Sequence, residues 1–590
     1  MFMTINELAV FFQKLEQTSS RLAMTELLSQ LFRKAGKGEI GKICYLLQGR
    51  VAPLYDAIEF GMAEKLIIRA LVKAYGIDEN QIQKKFKQTG DLGNAAQSYY
   101  RVLKPASPAG RHDNMKYFSI QEVYRKLFDL TQAAGEGSQE KKIDLLAELM
   151  RSLDPLSVRY IVRILLDKLR LGFSEMTTLD ALSWMLKGNK SLREKLESAY
   201  NIRPDIGFIA ERVKEEGIGG LTRVKVKVGA PILASLCQRL PTADEMIKKM
   251  VMVAVEPKYD GVRVQIHYEK SKVKSQKSKV KTFSRNLENT TEMFPELQQI
   301  GKQIKAEEVI LDSEAMGIDP KTGRVIAFQE TMTRKRKHLI EGAMQKVPLK
   351  FYVFDVLYRD GKSLLNIPLS ERRIALKQIV SSGNILVVSP QIVTDSPSVL
   401  RSYHDEQIKK GLEGVVVKKW HSPYEPGRRG YSWVKFKEEG KTGKLTDTID
   451  AVIMGYYKGE GKRAGFGIGA FLAGVRKGDR FVTITKIGTG VTDALWKELR
   501  RKLRAFTVTE KPKEYEDVGK TFIPDVWVAP GLVVEIAGDD LTKSSTHGAG
   551  IAVRFPRLVR MRLDKSPKDA TTVAEARRMY DAQKNPHSRI

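Results

Sequence analysis

Cysteine is almost absent: two residues in 590, Cys44 and Cys237. Each lies among apolar neighbours (I-C-Y-L-L and L-A-S-L-C-Q-R-L), which reads as a small buried hydrophobe rather than half of a disulfide. Two cysteines cannot build a four-cysteine zinc module. The seven histidines are scattered without H-x-x-x-H or similar pairing, so no structural metal is expected. Long apolar runs are missing as well. None approaches the roughly 18–20 residues that span a bilayer, so no membrane partner is expected. The chain opens at Met1-Phe2-Met3-Thr4-Ile5 into an amphipathic helical pattern rather than a charged-then-apolar signal, and a cytoplasmic location is expected.

Positive charge is abundant. Lys and Arg number 100 against 70 Asp and Glu, a net charge of +30. Such an excess points to a polyanionic partner, nucleic acid before membrane. A chain of 590 residues exceeds one hydrophobic core, and a 42% apolar content supports several folded domains.

The first two hundred or so residues read as helical. Met3 to Glu16, Tyr55 to Tyr75, Ser119 to Ala134, Lys141 to Ser152 and Pro155 to Arg170 carry apolar residues at three- and four-residue spacing. Ser119 ahead of Ile120-Gln121-Glu122 has the form of a cap, and Gly135-Glu136-Gly137 breaks the pattern. From Thr222 short alternating runs begin with Val224-Lys225-Val226-Lys227-Val228, and strands alternate with helices thereafter. The polar stretch Glu438 to Gly443 reads as a hinge. Beyond it, Ala451 to Tyr456, Phe471 to Val475 and Phe481 to Ile487 suggest a small β-barrel. The lysine-rich repeat Ser271-Lys272-Val273-Lys274 and Ser278-Lys279-Val280-Lys281 reads as a solvated, lengthened hairpin, with a DNA-backbone contact as the alternative.

One short turn carries chemistry. In A-V-E-P-K-Y-D-G-V-R-V-Q-I-H, Lys258 and Asp260 sit between two apolar, strand-like segments, Met250 to Val255 and Val262 to Ile266. Lysine attacks only as the neutral amine, so such a role needs neighbours that favour that form. The K-x-D-G-x-R spacing resembles motif I of the covalent nucleotidyltransferases: DNA ligases, RNA ligases and mRNA capping enzymes. Downstream come F-S-R-N (Phe283 to Asn286), L-D-S-E-A (Leu311 to Ala315), Y-V-F-D-V (Tyr352 to Val356), E-G-V-V-V-K (Glu413 to Lys418) and S-W-V-K-F-K (Ser432 to Lys437). These resemble, in order, the remaining motifs of the ATP-dependent DNA ligases. R-F-P-R-L-V-R-M-R-L-D-K (Arg554 to Lys565) is similar to their motif VI. V-V-E-I-A (Val533 to Ala537) and G-K-R-A-G-F-G (Gly461 to Gly467) also look like their C-terminal domain. Y-L-L-Q-G-R (Tyr45 to Arg50), F-G-M-A-E-K (Phe60 to Lys65) and L-R-L-G (Leu169 to Gly172) resemble the DNA-binding domain of the archaeal and eukaryotic-type members.

The resemblance implies a multidomain fold: an all-α DNA-binding domain (1–222), an α+β adenylation domain (223–439) and a C-terminal β-barrel OB-fold (440–590). It implies Lys258 as the adenylated nucleophile and Glu256 as the adenine contact. Arg263 and Arg285 would bind phosphate, Glu314 the ribose hydroxyls, and Phe354 would stack on adenine. Glu413, with Glu314, would hold Mg²⁺. Lys435 and Lys437 would contact the α-phosphate, their charge favouring a neutral Lys258. Arg429 and Trp433 would line the pocket, and Lys418 is a further phosphate candidate. Asp260 reads as a brace of the turn rather than a metal ligand. Arg562 and Lys565, with Arg554 less central, would orient the leaving pyrophosphate. ATP is the implied cofactor, nicked duplex DNA the implied partner, a monomer the implied state, and replication, repair and recombination the implied setting. In N-M-K-Y-F (Asn114 to Phe118) the paired aromatics of a sliding-clamp peptide occur without the leading glutamine, and ordinary core aromatics are the favoured reading.

Two rivals lie within the superfamily. Capping enzymes lack a long helical domain ahead of motif I, whereas some 250 residues precede Lys258 here, and an RNA ligase is the other. NAD-dependent ligases carry the zinc module that two cysteines exclude. A catalytically silent nick-binding scaffold would have no need of Lys258, Glu413 and Lys435.

Overall fold

The computed structural model describes residues 2–18, 20–103, 118–169, 171–271, 278–322, 325–326, 347–427, 429–437, 447–459 and 465–584. Most of the lysine-rich repeat, Asn114 to Tyr117, Arg170, the Glu438–Gly443 stretch and the start of G-K-R-A-G-F-G lie outside them, as does the side chain of Arg429. The chain divides into two compact units, Met1–Lys437 and Glu438–Ile590.

The first unit begins with helices whose ends are written in the sequence. Thr4 caps Ile5–Glu16 in a reciprocal box with Glu7, and Ser119 does the same with Glu122 for Ile120–Gln132. Asp154 caps Pro155–Leu165, where proline at the first position lacks only an N–H that would be unpaired anyway. The apolar faces of these helices close on one continuous core, from Met3 and Ile5 to Val213 and Val224. Phe118 packs against it. Two expected helices are shorter than their periodicity suggests. Tyr55 to Tyr75 resolves into a 3₁₀ turn, Leu54–Asp56, and a helix, Glu64–Tyr75, separated at Ala57 (φ 55°) and Gly61 (φ 60°). Pro155 to Arg170 stops at Leu165, with Asp167 left-handed at φ 54°.

Val224 to Val228 is not a strand. It has no pairing partner and instead crosses toward the sheets in extended form. Val226 and Val228 rest against an apolar cluster containing Ile232, Phe354 and Trp433, so one-sided burial alone produces the alternation. The Gly229 N–H donates to His267 Nδ1 at 3.0 Å, and Gln265 exchanges two hydrogen bonds with the backbone of Ile232.

Two sheets follow. The first has the order β1-β11-β10-β2-β9, with β1 at Leu236–Arg239, β2 at Val253–Pro257, β9 at Ile392–Thr394, β10 at Val415–Lys419 and β11 at Arg429–Phe436. The second runs β4-β3-β5-β6-β7, with β8 beside β6. Its strands are β3 Val262–Glu269, β4 Lys279–Ser284, β5 Glu308–Gly317, β6 Leu349–Arg359, β7 Lys362–Ser363 and β8 Leu386–Val388. Met250, expected to start a strand, ends the helix Ala243–Met250, and β2 begins at Val253. The turn bearing Lys258 joins β2 of one sheet to β3 of the other, so it lies where the two sheets part.

The second unit is β-rich. Its strands β12 Ile449–Tyr457, β13 Ala470–Lys477 and β14 Arg480–Ile487 form the centre of an eight-stranded sheet. β18 (Val533–Ala537) pairs with β12 and with β21 (Arg557–Met561). The helices Asp493–Leu503 and Val573–Lys584 cover its core.

Candidate active site

Strand register brings the motifs together. β2 pairs with β10 so that Glu256 faces Val416, and β10 pairs with β11 so that Lys418 faces Trp433 and Val416 faces Lys435. In the other sheet Arg263 on β3 faces Glu314 on β5, and Glu314 faces Tyr352 on β6. The backbone N–H of Lys258 donates to the Gly414 carbonyl at 2.9 Å, which ties the nucleophile's turn to the loop carrying Glu413. Gly261 is required sterically. A Cβ there would lie 2.4 Å from both the Ala315 carbonyl oxygen and Met316 Sδ, so the turn rests directly on β5.

A cavity of about 600 Å³ opens between the sheets. Lys258, Glu256, Arg263, Arg285, Glu314, Phe354, Lys418 and Trp433 all line it. Lys258 hydrogen-bonds Glu413, and Lys437 Nζ lies 3.2 Å from the same carboxylate. Burial would raise the Glu413 carboxyl, but these two ammonium groups hold it down at about 2. Glu314 behaves oppositely. Burial pushes it up to about 7 despite Arg263 and Lys258, with Asp312 and Asp260 adding to the rise. Lys435 is lowered by burial and then by its cationic neighbours Lys437 and Lys258.

Glu256 is buried on β2 and its Oε2 accepts from Lys418 Nζ at 2.8 Å. Its Oε1 has no partner among the described residues. Lys418 is itself 1% exposed and lies 4.5 Å from the Phe354 ring centroid and 4.2 Å from that of Trp433. Phe354 meets Trp433 edge-on at 6.0 Å and belongs to an apolar cluster while lining the cavity.

Arg263 is anchored. It forks onto Asp312 at 3.0 and 2.6 Å and donates through Nη1 to the Ser235 carbonyl at 2.8 Å. Tyr424 closes the triangle, its hydroxyl donating to Asp312 at 2.9 Å. Sequence reasoning missed Asp312 and Tyr424. Asp312 could have been found, because it stands two residues before Glu314 and a strand's period puts both on one face. Tyr424, far along the chain in S-P-Y-E-P, carries no such signal. Tyr259 was missed as well; it stacks on Tyr352 at 4.5 Å beside the cavity.

Arg285 stands exposed on the turn after β4. In the second unit Arg562 and Lys565 lie in an ion-pair network. Arg562 Nη1 is 3.1 Å and Lys565 Nζ 2.6 Å from the Asp450 carboxylate, and Arg562 also forks onto Asp564. Arg554 lies 3.7 Å from Asp540. Among the described residues no group of three or more His, Cys, Asp or Glu side chains is placed to hold a metal ion, and no helix is long and apolar enough to cross a membrane.

A lysine-bearing turn between two sheets, followed by a β-rich unit and preceded by a helical region, defines a three-part architecture. Three family models match it in sequence: "DNA ligase N terminus" over residues 4–183, "ATP dependent DNA ligase domain" over 231–437 and "ATP dependent DNA ligase C terminal region" over 464–565. A "Probable DNA ligase" of Dictyoglomus thermophilum is 42% identical over 99% of this chain and 98% of its own. A "DNA ligase 2" of Thermofilum pendens is 38% identical over 98% and 97%. The chain belongs to the ATP-dependent DNA ligases. A solved structure, "Pmar-Lig_PreS3", shares the fold with a TM-score of 0.53 and 18% identity, covering 94% of this chain and 99% of that one.

Proposed function

We propose that the chain seals nicks in duplex DNA in three steps through a lysyl-AMP. Lys258 Nζ attacks the α-phosphorus of ATP; the P–N bond forms as the α–β anhydride breaks and pyrophosphate leaves. AMP passes to the nick's 5′-phosphate as the P–N bond breaks, freeing the lysine. The 3′-hydroxyl then attacks that phosphate, forming the phosphodiester and expelling AMP. Little covalent chemistry beyond the lysine is asked of the protein, so positioning and charge carry the rate.

The observation that carries this reading is Lys258 paired to Glu413 at the lip of a cavity that Glu256, Glu314 and Phe354 also line. The open oxygen of Glu256 suits an exocyclic amine of adenine, Phe354 its ring, and Glu314 the ribose hydroxyls. Arg285, Arg429, Lys435 and Lys437 are read as phosphate contacts, and Arg263 as one set by its anchor on Asp312. Glu413 and Glu314 fit Mg²⁺ in the manner usual for it, one or two carboxylates with phosphate oxygens and water completing the shell. Bound there, the ion would neutralise charge developing at the α-phosphorus. Arg562 and Lys565 are read as the groups that orient pyrophosphate. The domains are read as an all-α DNA-binding domain (1–222), an adenylation domain (223–439) and an OB-fold (440–590), working as a monomer in the cytoplasm.

The test is sealing of a 5′-phosphorylated nicked duplex with Mg²⁺ and ATP, GTP or NAD in parallel. Sealing with ATP alone, with AMP found on Lys258 by intact mass, is expected. Retained turnover in Lys258→Ala would overturn the assignment of the nucleophile.

A further inference from the structure

A second cavity, of about 360 Å³, lies on the seam between the helical region and the sheets. Its size is that of a small-ligand pocket. The seam is packed: Tyr55 meets Phe283 edge-on at 6.3 Å, and the two share an apolar cluster with Ala230. Tyr45 and Tyr55 both donate to Asp205, at 2.6 and 3.2 Å, which braces the helical wall.

Cationic side chains reach this cavity from both walls. On the helical side the turn after Ile40–Leu47, with Gly49 at φ 72°, presents Arg50. On the sheet side a tight turn after β4, closed by the Leu287 N–H on the Ser284 carbonyl at 2.9 Å, presents Arg285. Neither arginine has an ion-pair partner among the described residues. Between them Tyr200, 7% exposed, lines the cavity with a hydroxyl that has no hydrogen-bond partner among the described residues. Burial, then the nearby Glu175, keeps that hydroxyl protonated, so it is a donor. Glu175 is the one carboxylate in the lining; Gln48 Nε2 donates to it at 3.4 Å, and it sits in the first turn of its own helix, where the helix dipole favours a negative charge.

We propose that this seam pocket is a second phosphate-binding site, in which Arg50 and Tyr200 grip a phosphodiester of the substrate strand. A buried donor without an acceptor is costly, and a phosphate oxygen would satisfy it while meeting the two guanidinium groups. Arg285 and Asn286 line both this cavity and the one at Lys258, so a strand engaged at the nucleophile passes the seam pocket. The identification of that strand as DNA rests on the ligase reading; the phosphate chemistry does not.

The test uses the full chain with Arg50→Gln and Tyr200→Phe, the latter losing one oxygen only. Adenylation of Lys258 by ATP is expected to stay within about twofold, which reports an intact fold. Binding of a nicked duplex is expected to weaken about tenfold in Arg50→Gln and by a few fold in Tyr200→Phe. The slope of log affinity against log salt should fall by about one for Arg50→Gln. A scan with single neutral methylphosphonates should find one position that weakens the wild type and leaves Arg50→Gln unaffected. If duplex binding is unchanged but inorganic phosphate raises the melting temperature of the wild type and not of Arg50→Gln, the pocket takes free phosphate and the strand assignment is overturned. If neither probe distinguishes the variants from the wild type, the site itself is overturned. Binding is read without sealing, so a failure of the ligase reading would show separately.

Discussion

Lys258 donates its hydrogen bond to Glu413, the carboxylate that Lys437 also approaches at 3.2 Å. The nucleophile is therefore held as one half of an ion pair, and that pair must part before the amine attacks. Glu413 lies at about 2, below its ordinary value of 4.5. A depressed carboxylate contributes stability that is present above its unfolded value and lost as pH falls through its folded one. Glu413→Gln is expected to flatten the loss of stability between pH 4.5 and about 2, measured by denaturant unfolding across that window. Its adenylation rate, read by intact mass, is expected to drop about 100-fold, since the group proposed to hold Mg²⁺ and to place Lys258 is lost.

Glu314 gives the opposite sign. Burial raises it to about 7 from 4.5, so between those values the folded state binds more protons than the unfolded, and stability declines as pH rises across that interval. The proposed acceptor role for the ribose hydroxyls needs the carboxylate. The KM for ATP in adenylation is therefore expected to fall as pH rises from 6 to 8. In Glu314→Gln the profile through pH 7 should be flat with KM high throughout. A wild-type KM independent of pH would remove the ribose role.

Gly414 sets the position of Glu413. Its φ is 130°, and a Cβ there would lie 2.3 Å from the Phe436 carbonyl oxygen, on the backbone of the neighbouring strand. Its own carbonyl accepts from the Lys258 N–H. Gly414→Ala is expected to cost about 2–4 kcal/mol of stability by denaturant unfolding and to slow adenylation beyond what that loss explains.

Much of the site was legible because its chemistry is local in sequence. Lys258, Glu256, Glu314, Phe354 and Trp433 were all named from short motifs, and strand register brings them to one cavity. What was not legible depends on pairing across long separations. Tyr424 meets Asp312 across 112 residues, and nothing in S-P-Y-E-P announces it. The fold was misread where a pattern has two causes. Alternation in Val224 to Val228 comes from one-sided packing, and helical periodicity in Tyr55 to Tyr75 continues through positions whose backbone is left-handed. Capping was readable at Ser119 because the reciprocal box needs only residues three apart.

The same limit applies to Arg562 and Lys565, which the sequence presents as free cations. In the fold both rest on Asp450, more than a hundred residues earlier at the start of β12, and Asp450 is fixed in turn. Its N–H donates to Thr571 Oγ1 at 3.0 Å and its carbonyl accepts from the Thr571 N–H at 2.8 Å. One carboxylate thus spaces two cations that are otherwise separate, and its removal would let both side chains relax into solvent. If the pair orients pyrophosphate, Asp450→Asn should slow adenylation by ATP about tenfold or more. Sealing of a chemically pre-adenylated nick, which releases no pyrophosphate, should be nearly unchanged. Equal losses in the two assays would mean that Asp450 supports the unit as a whole, and no loss in either would remove the pyrophosphate role from Arg562 and Lys565.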